Sequence, residues 1–108
     1  MDRKAGIIRK LQNFKKQVDS DFFLKKMYFF GSRASGKPRR DSDIDLILVS
    51  SRFKKLDFIE RGAKMYDYWN LHYPVDFLCY TPEEFERKKK LVGIVQQAVK
   101  EGIEIKVN

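Results

Sequence analysis

Two apolar runs separated by a short polar segment constrain this chain most. The first, Met27-Tyr28-Phe29-Phe30, ends at Gly31-Ser32, and ten residues then separate Ser32 from Asp43-Ile44-Asp45 at the head of the second run. Apolar, aromatic and β-branched content over so few residues predicts buried strands, from about Leu24 to Phe30 and from Ile44 to Val49. Gly31 allows the backbone to turn tightly out of the first strand. Ser32 then opens a short helical turn whose free N–H groups would face an anion. The intervening segment, Arg33-Ala34-Ser35-Gly36-Lys37-Pro38-Arg39-Arg40, is small and basic, as a phosphate cradle requires.

Asp43 and Asp45 are spaced to act together. Residues i and i+2 of a strand share a face, which sets them roughly 6 to 7 Å apart. Two bare carboxylates at about 6 Å repel by roughly 3 kcal/mol at an effective dielectric near 20. A hard cation reverses that sign, since Mg²⁺ is commonly held by one or two carboxylates together with phosphate oxygens and water. A third carboxylate, Asp76, stands near the start of Val75-Asp76-Phe77-Leu78-Cys79-Tyr80, a third predicted strand. Desolvating an unpaired charge is costly, so Asp76 either sits at an exposed strand end or shares a cation with Asp43 and Asp45. A phosphate cradle beside such carboxylates points to chemistry on a nucleoside triphosphate.

Gly31-Ser32, ten intervening residues, Asp43-Ile44-Asp45 and the later Val75-Asp76 strand resemble the minimal nucleotidyltransferases of the DNA polymerase β superfamily, over nearly the whole chain. The resemblance implies a nucleotidyltransferase fold and transfer of a nucleoside monophosphate, AMP from ATP being the expected case, to a hydroxyl with release of pyrophosphate. It implies that Gly31, Ser32 and Arg33 contact the nucleotide, and that Asp43, Asp45 and Asp76 are catalytic and hold two Mg²⁺ ions. Many small members are antitoxins paired with a helical HEPN-type RNase toxin, some adding AMP to a toxin tyrosine, so a HEPN-type partner is expected here. Members often carry arginine where this chain has Ser35; Arg33, Lys37, Arg39 and Arg40 are the candidate replacements.

The remaining pattern fits an α/β (α+β) domain over residues 1–108, with a small mixed sheet of about four strands and helices packed mainly on one face. Ile7, Ile8, Leu11, Phe14 and Val18 recur at helical spacing. Phe58, Ile59, Gly62, Met65, Tyr66 and Trp69 mark a second helix over about Leu56 to Asn70. Thr81-Pro82-Glu83-Glu84 starts a third, with Thr81 as cap, Pro82 at the first position and Glu84 completing a capping box. Gly93 interrupts the helical stretch, which resumes over Ile94 to Val99 and stops at Gly102. Ile103 to Val107 alternates as a half-exposed strand, whose edge is a candidate for self-association or partner contact.

A net charge of +8 biases the chain towards acidic partners. A solvated basic surface is the commoner outcome, so nucleic acid is a less favoured partner. Arg87-Lys88-Lys89-Lys90 is read the same way, and His72 carries no assigned role. A single cysteine, Cys79, excludes an intramolecular disulfide and a multi-cysteine zinc site. No apolar stretch reaches membrane-spanning length and the N-terminus lacks a secretory h-region, so a cytoplasmic setting is expected. Two functions compete: a metal-dependent nucleotidyltransferase, and a non-catalytic antitoxin that masks a helical partner.

Overall fold

The computed structural model describes residues 3–36 and 43–107. The chain order is helix α1 (Lys4–Phe22), strands β1 (Lys26–Phe30) and β2 (Ile44–Val49), a 3-10 helix (Ser51–Lys55), helix α2 (Phe58–Tyr66), strand β3 (Val75–Tyr80), helices α3 (Pro82–Lys89) and α4 (Ile94–Glu101), and strand β4 (Ile103–Glu104). The four strands form one mixed sheet in the order β3-β2-β1-β4. β1 pairs antiparallel with β2 and with β4, while β2 and β3 run parallel.

Strand alternation divides the core between the two faces. Met27 and Phe29, Ile44, Leu46 and Leu48, and Val75, Phe77 and Cys79 point to one face, where they meet Ile7, Leu11, Phe14 and Val18 of α1 and Met65 of α2. Tyr28, Ile47, Val49 and Tyr80 point to the other, against Phe85 of α3 and Val95 and Ala98 of α4. The larger core thus lies under α1 and α2, but helices cover both faces rather than mainly one. The physical reason is the pleat: Tyr28, Ile47, Val49 and Tyr80 give the second face an apolar patch of its own, and it too must be covered.

The expected second helix is shorter and rotated. Asp57 and Glu60 form a reciprocal capping box at its start, so the helix begins at Phe58, and Leu56 caps the end of the 3-10 helix before it. Past Tyr66 the chain tightens, with Tyr68 N–H bonded to Met65 O at 3.1 Å and Trp69 N–H to Tyr66 O at 3.2 Å, so Trp69 leaves the helix to pack edge-on against Phe14 and Phe77. Its core side carries Arg61 and Met65, while Phe58, Ile59 and Tyr66 are exposed. Arg61 is buried because its guanidinium is satisfied: Nε donates to Phe53 O and Leu56 O, both at 2.9 Å, and Nη1 to Cys79 O at 3.1 Å and Glu84 Oε1 at 2.7 Å. A helical stripe counted by hydropathy alone assigns Arg61 to solvent.

α3 starts as its sequence predicts, Thr81 and Glu84 completing the capping box with Pro82 in the first turn. β4 is limited to two residues, although Ile105 N–H still bonds Met27 O at 2.8 Å. Gly102 ends α4 by close packing: a Cβ there would lie 2.5 Å from Ala98 O and 3.0 Å from Phe29 O.

Candidate active site

The sheet brings the acidic residues together through register. Asp45 pairs with Asp76 across the parallel β2–β3 ladder and with Phe30 across β1–β2. Neighbouring strands lie about 4.8 Å apart, so the two carboxylates leave the same face as near neighbours, on the side otherwise covered by α3 and α4. Asp43 immediately precedes β2 and is exposed, as is Asp76; Asp45 is half-buried. Burial pushes the Asp45 carboxyl above its ordinary range, and the negative charges of Asp76 and then Asp43 push it further. Asp45 is therefore the electrostatic centre of the three. Among the described residues no three His, Cys, Asp or Glu side chains close into a metal-binding group; the three aspartates form an open cluster of all-oxygen donors around a disfavoured negative charge. That donor chemistry fits a hard divalent cation that brings further oxygen ligands with it.

Gly31 makes room for that centre. Its φ of +85° lies in the region that L side chains rarely adopt, and a Cβ there would stand 2.2 Å from Asp45 Oδ2. The strand thus delivers its carboxylate onto a backbone that has no side chain. The turn that follows closes through Ser35 N–H to Gly31 O at 3.1 Å and Ser35 Oγ to Ser32 O at 2.9 Å. Lys4 of α1 ties into it, Nζ donating to Ala34 O at 3.3 Å. Arg33 is buried with its guanidinium 4.8 Å from the centre of the Tyr73 ring. Lys37, Arg39 and Arg40, the other candidate phosphate cations, lie outside the described residues.

Beside Asp45 opens a cleft of 390 Å³, lined by Phe30, Gly31, Ser35 and Asp45 on the sheet side. The opposite wall is α4, which contributes Ile94, Gln97, Ala98 and Glu101 before Gly102. Of the expected nucleotide contacts only Gly31 lines it; Ser35, the residue that departs from the family pattern, lines it too. The α4 residues were not legible beforehand as site residues. Their i, i+3, i+4, i+7 spacing was visible, but only the fold shows that this stripe faces the cleft. His72 is exposed and lies away from this cleft, in a groove between α1 and the segment after α2. In the basic run Lys89 pairs with Glu86 at 2.9 Å, and Lys88 lies over the Tyr80 ring. Among the described residues no helix is long and apolar enough to cross a membrane.

Comparison with known proteins agrees with this architecture. The family model for the nucleotidyltransferase domain matches residues 11–106. A structure from Sulfolobus solfataricus described as a nucleotidyltransferase superposes with a TM-score of 0.66 at 23% identity, covering 94% of this chain and 81% of that one. A toxin–antitoxin structure with AMP-PNP gives 0.57 at 21% identity, over 90% of this chain and 73% of that one. A mutant form of the toxin–antitoxin pair MntA–HpeT gives 0.55 at 20% identity with the same coverage. At these identities the structural likenesses establish a shared fold. No match was found among curated proteins.

Proposed function

This chain belongs to the nucleotidyltransferase domain family, and from that membership we propose that it transfers a nucleoside monophosphate, AMP from ATP, to a hydroxyl on a protein acceptor. The observation that carries the reading is the in-register pairing of Asp45 with Asp76, beside a glycine turn that only a residue without Cβ can make. Asp43, Asp45 and Asp76 are the residues that would hold Mg²⁺. When bound, the metal neutralises the triphosphate and lowers the pKa of the attacking hydroxyl. Asp45 stands between the two reactants. On its β1 side lie Gly31, Ser32 and the cleft, which take the nucleotide; on its β3 side lies Asp76, which faces the acceptor hydroxyl. The toxin–antitoxin proteins among the structural neighbours support a toxin as the acceptor, with a tyrosine of a HEPN-type partner as the proposed hydroxyl.

Incubating the protein with Mg²⁺, α-labelled ATP and a co-encoded helical partner tests this. Label should move to the partner, and Asp45→Asn should abolish the transfer. A second reading, masking without catalysis, is favoured by Ser35, which lines the cleft at the position where the family pattern often carries an arginine. A double Asp43→Asn, Asp45→Asn variant that still neutralises the partner, together with no transfer by the native protein, would establish masking and refute the enzyme.

A further inference from the structure

The α4 wall of the cleft carries a polar pair that neither the core nor the carboxylate centre explains. Gln97 Nε2 donates to Glu101 Oε2 at 3.1 Å, one helical turn apart, and both residues line the cleft opposite Gly31 and Asp45. Glu101 is the last residue of α4, where the negative end of the helix dipole disfavours a carboxylate. It is also a second carboxylate in the lining of the cleft, on the wall opposite Asp45. A carboxylate set against the local helix-end preference, in the wall of a cleft, is placed where a residue serving a ligand is expected. Gly102, packed against Phe29 O and Ala98 O, fixes the end of the helix where Glu101 projects.

The chemistry of the pair selects its ligand. With the Gln97 amide donating to Glu101, the pair presents acceptors: Gln97 Oε1 and the second Glu101 oxygen. Acceptors repel phosphate oxygens and bind hydrogen-bond donors. Phe30, Ile94 and Ala98 supply apolar surface to the same cleft, and 390 Å³ is within the range of small-ligand pockets. We propose that Gln97 and Glu101 form the nucleoside-reading subsite, accepting hydrogen bonds from donor groups of the nucleotide, while its phosphates lie towards Gly31 and Asp45. Two parts of a nucleotide offer such donors, the ribose hydroxyls and the exocyclic amine of the base. This rests on the nucleotidyl-transfer reading.

Calorimetric binding in Mg²⁺ of ATP, 2′,3′-dideoxyATP, ITP and inorganic tripolyphosphate separates the possibilities. Glu101→Gln and Gln97→Leu alter exposed side chains, so both variants are expected to fold as the native protein does. Each should weaken ATP about tenfold and leave tripolyphosphate unweakened. If the ribose is read, dideoxyATP binds native protein weakly and the variants change it no further. If the amine is read, ITP behaves that way instead. Equal ATP affinity in native and variant proteins would overturn the subsite, as would parallel losses for ATP and tripolyphosphate. Failure of the native protein to bind any of the four would overturn the nucleotide reading itself, and the subsite with it.

Discussion

Replacing Asp45 with asparagine should stabilise the protein while removing its proposed activity. Asp45 and Asp76 are lateral neighbours on β2 and β3; at about 5 Å and an effective dielectric near 20 the bare repulsion is roughly 3 kcal/mol. Asp45 is only half-buried and Asp76 is exposed, so solvent screening reduces this to about 1 kcal/mol. A gain of that size raises Tm by roughly 4 °C in a chain of this length. The pH dependence gives a second reading. The folded-state pKa of Asp45 is raised above 3.8, so between the unfolded and folded values the native state binds the extra proton, and stability falls as pH rises through that window. At neutral pH the penalty is fully present; below the unfolded value both states are protonated and it vanishes. Thermal melts of native protein and Asp45→Asn should therefore differ at pH 7 and converge near pH 3. Millimolar Mg²⁺ should stabilise the native protein more than the variant. A variant no more stable than native at pH 7 without metal, or a gain unchanged at pH 3, would refute the assignment of Asp45 as the strained centre.

Three further outcomes follow from the packing. Gly31→Ala should cost about 1–3 kcal/mol from its left-handed backbone, displace the Asp45 carboxylate and weaken nucleotide binding; Gly36→Ala has a similar φ of +84° but open space around the added Cβ, so it should cost the backbone strain alone, and calorimetric binding with thermal melts distinguishes the two. Arg61→Leu leaves three backbone carbonyls and Glu84 without their donor, which should cost about 3 kcal/mol in urea unfolding. The hydrogen bond from Arg61 holds Glu84 below its usual range, so native stability present above pH 4.5 should fall as pH drops through the folded value, and Arg61→Leu should flatten that slope. Cys79 is buried and its thiol pushed up to about 12, so iodoacetamide at pH 8 should label it only in denaturant; rapid labelling of the native protein would contradict the packing under α1.

Local sequence determined the elements whose causes are local. β2 and β3 fall where their apolar runs predict, because each run is a strand-length segment bounded by breakers. α3 begins at Thr81 because cap, proline and glutamate act within one turn. The spacing from Gly31-Ser32 to Asp43 and Asp45 was legible for the same reason: each residue type answers a demand of its own backbone position. Tertiary structure alone decided what depends on residues far apart in the chain. The parallel register of β2 on β3 puts Asp76 beside Asp45, and a slip of one residue would send it to the opposite face. Arg61 is buried because three carbonyls from two other segments and the Glu84 carboxylate converge on it, which no hydropathy count can register. Gln97 and Glu101 read as an ordinary solvated helix pair until the packing of α4 across the sheet turns that stripe towards Asp45. Side-chain chemistry is written residue by residue, but the direction in which a side chain faces is set by the partners its element packs against.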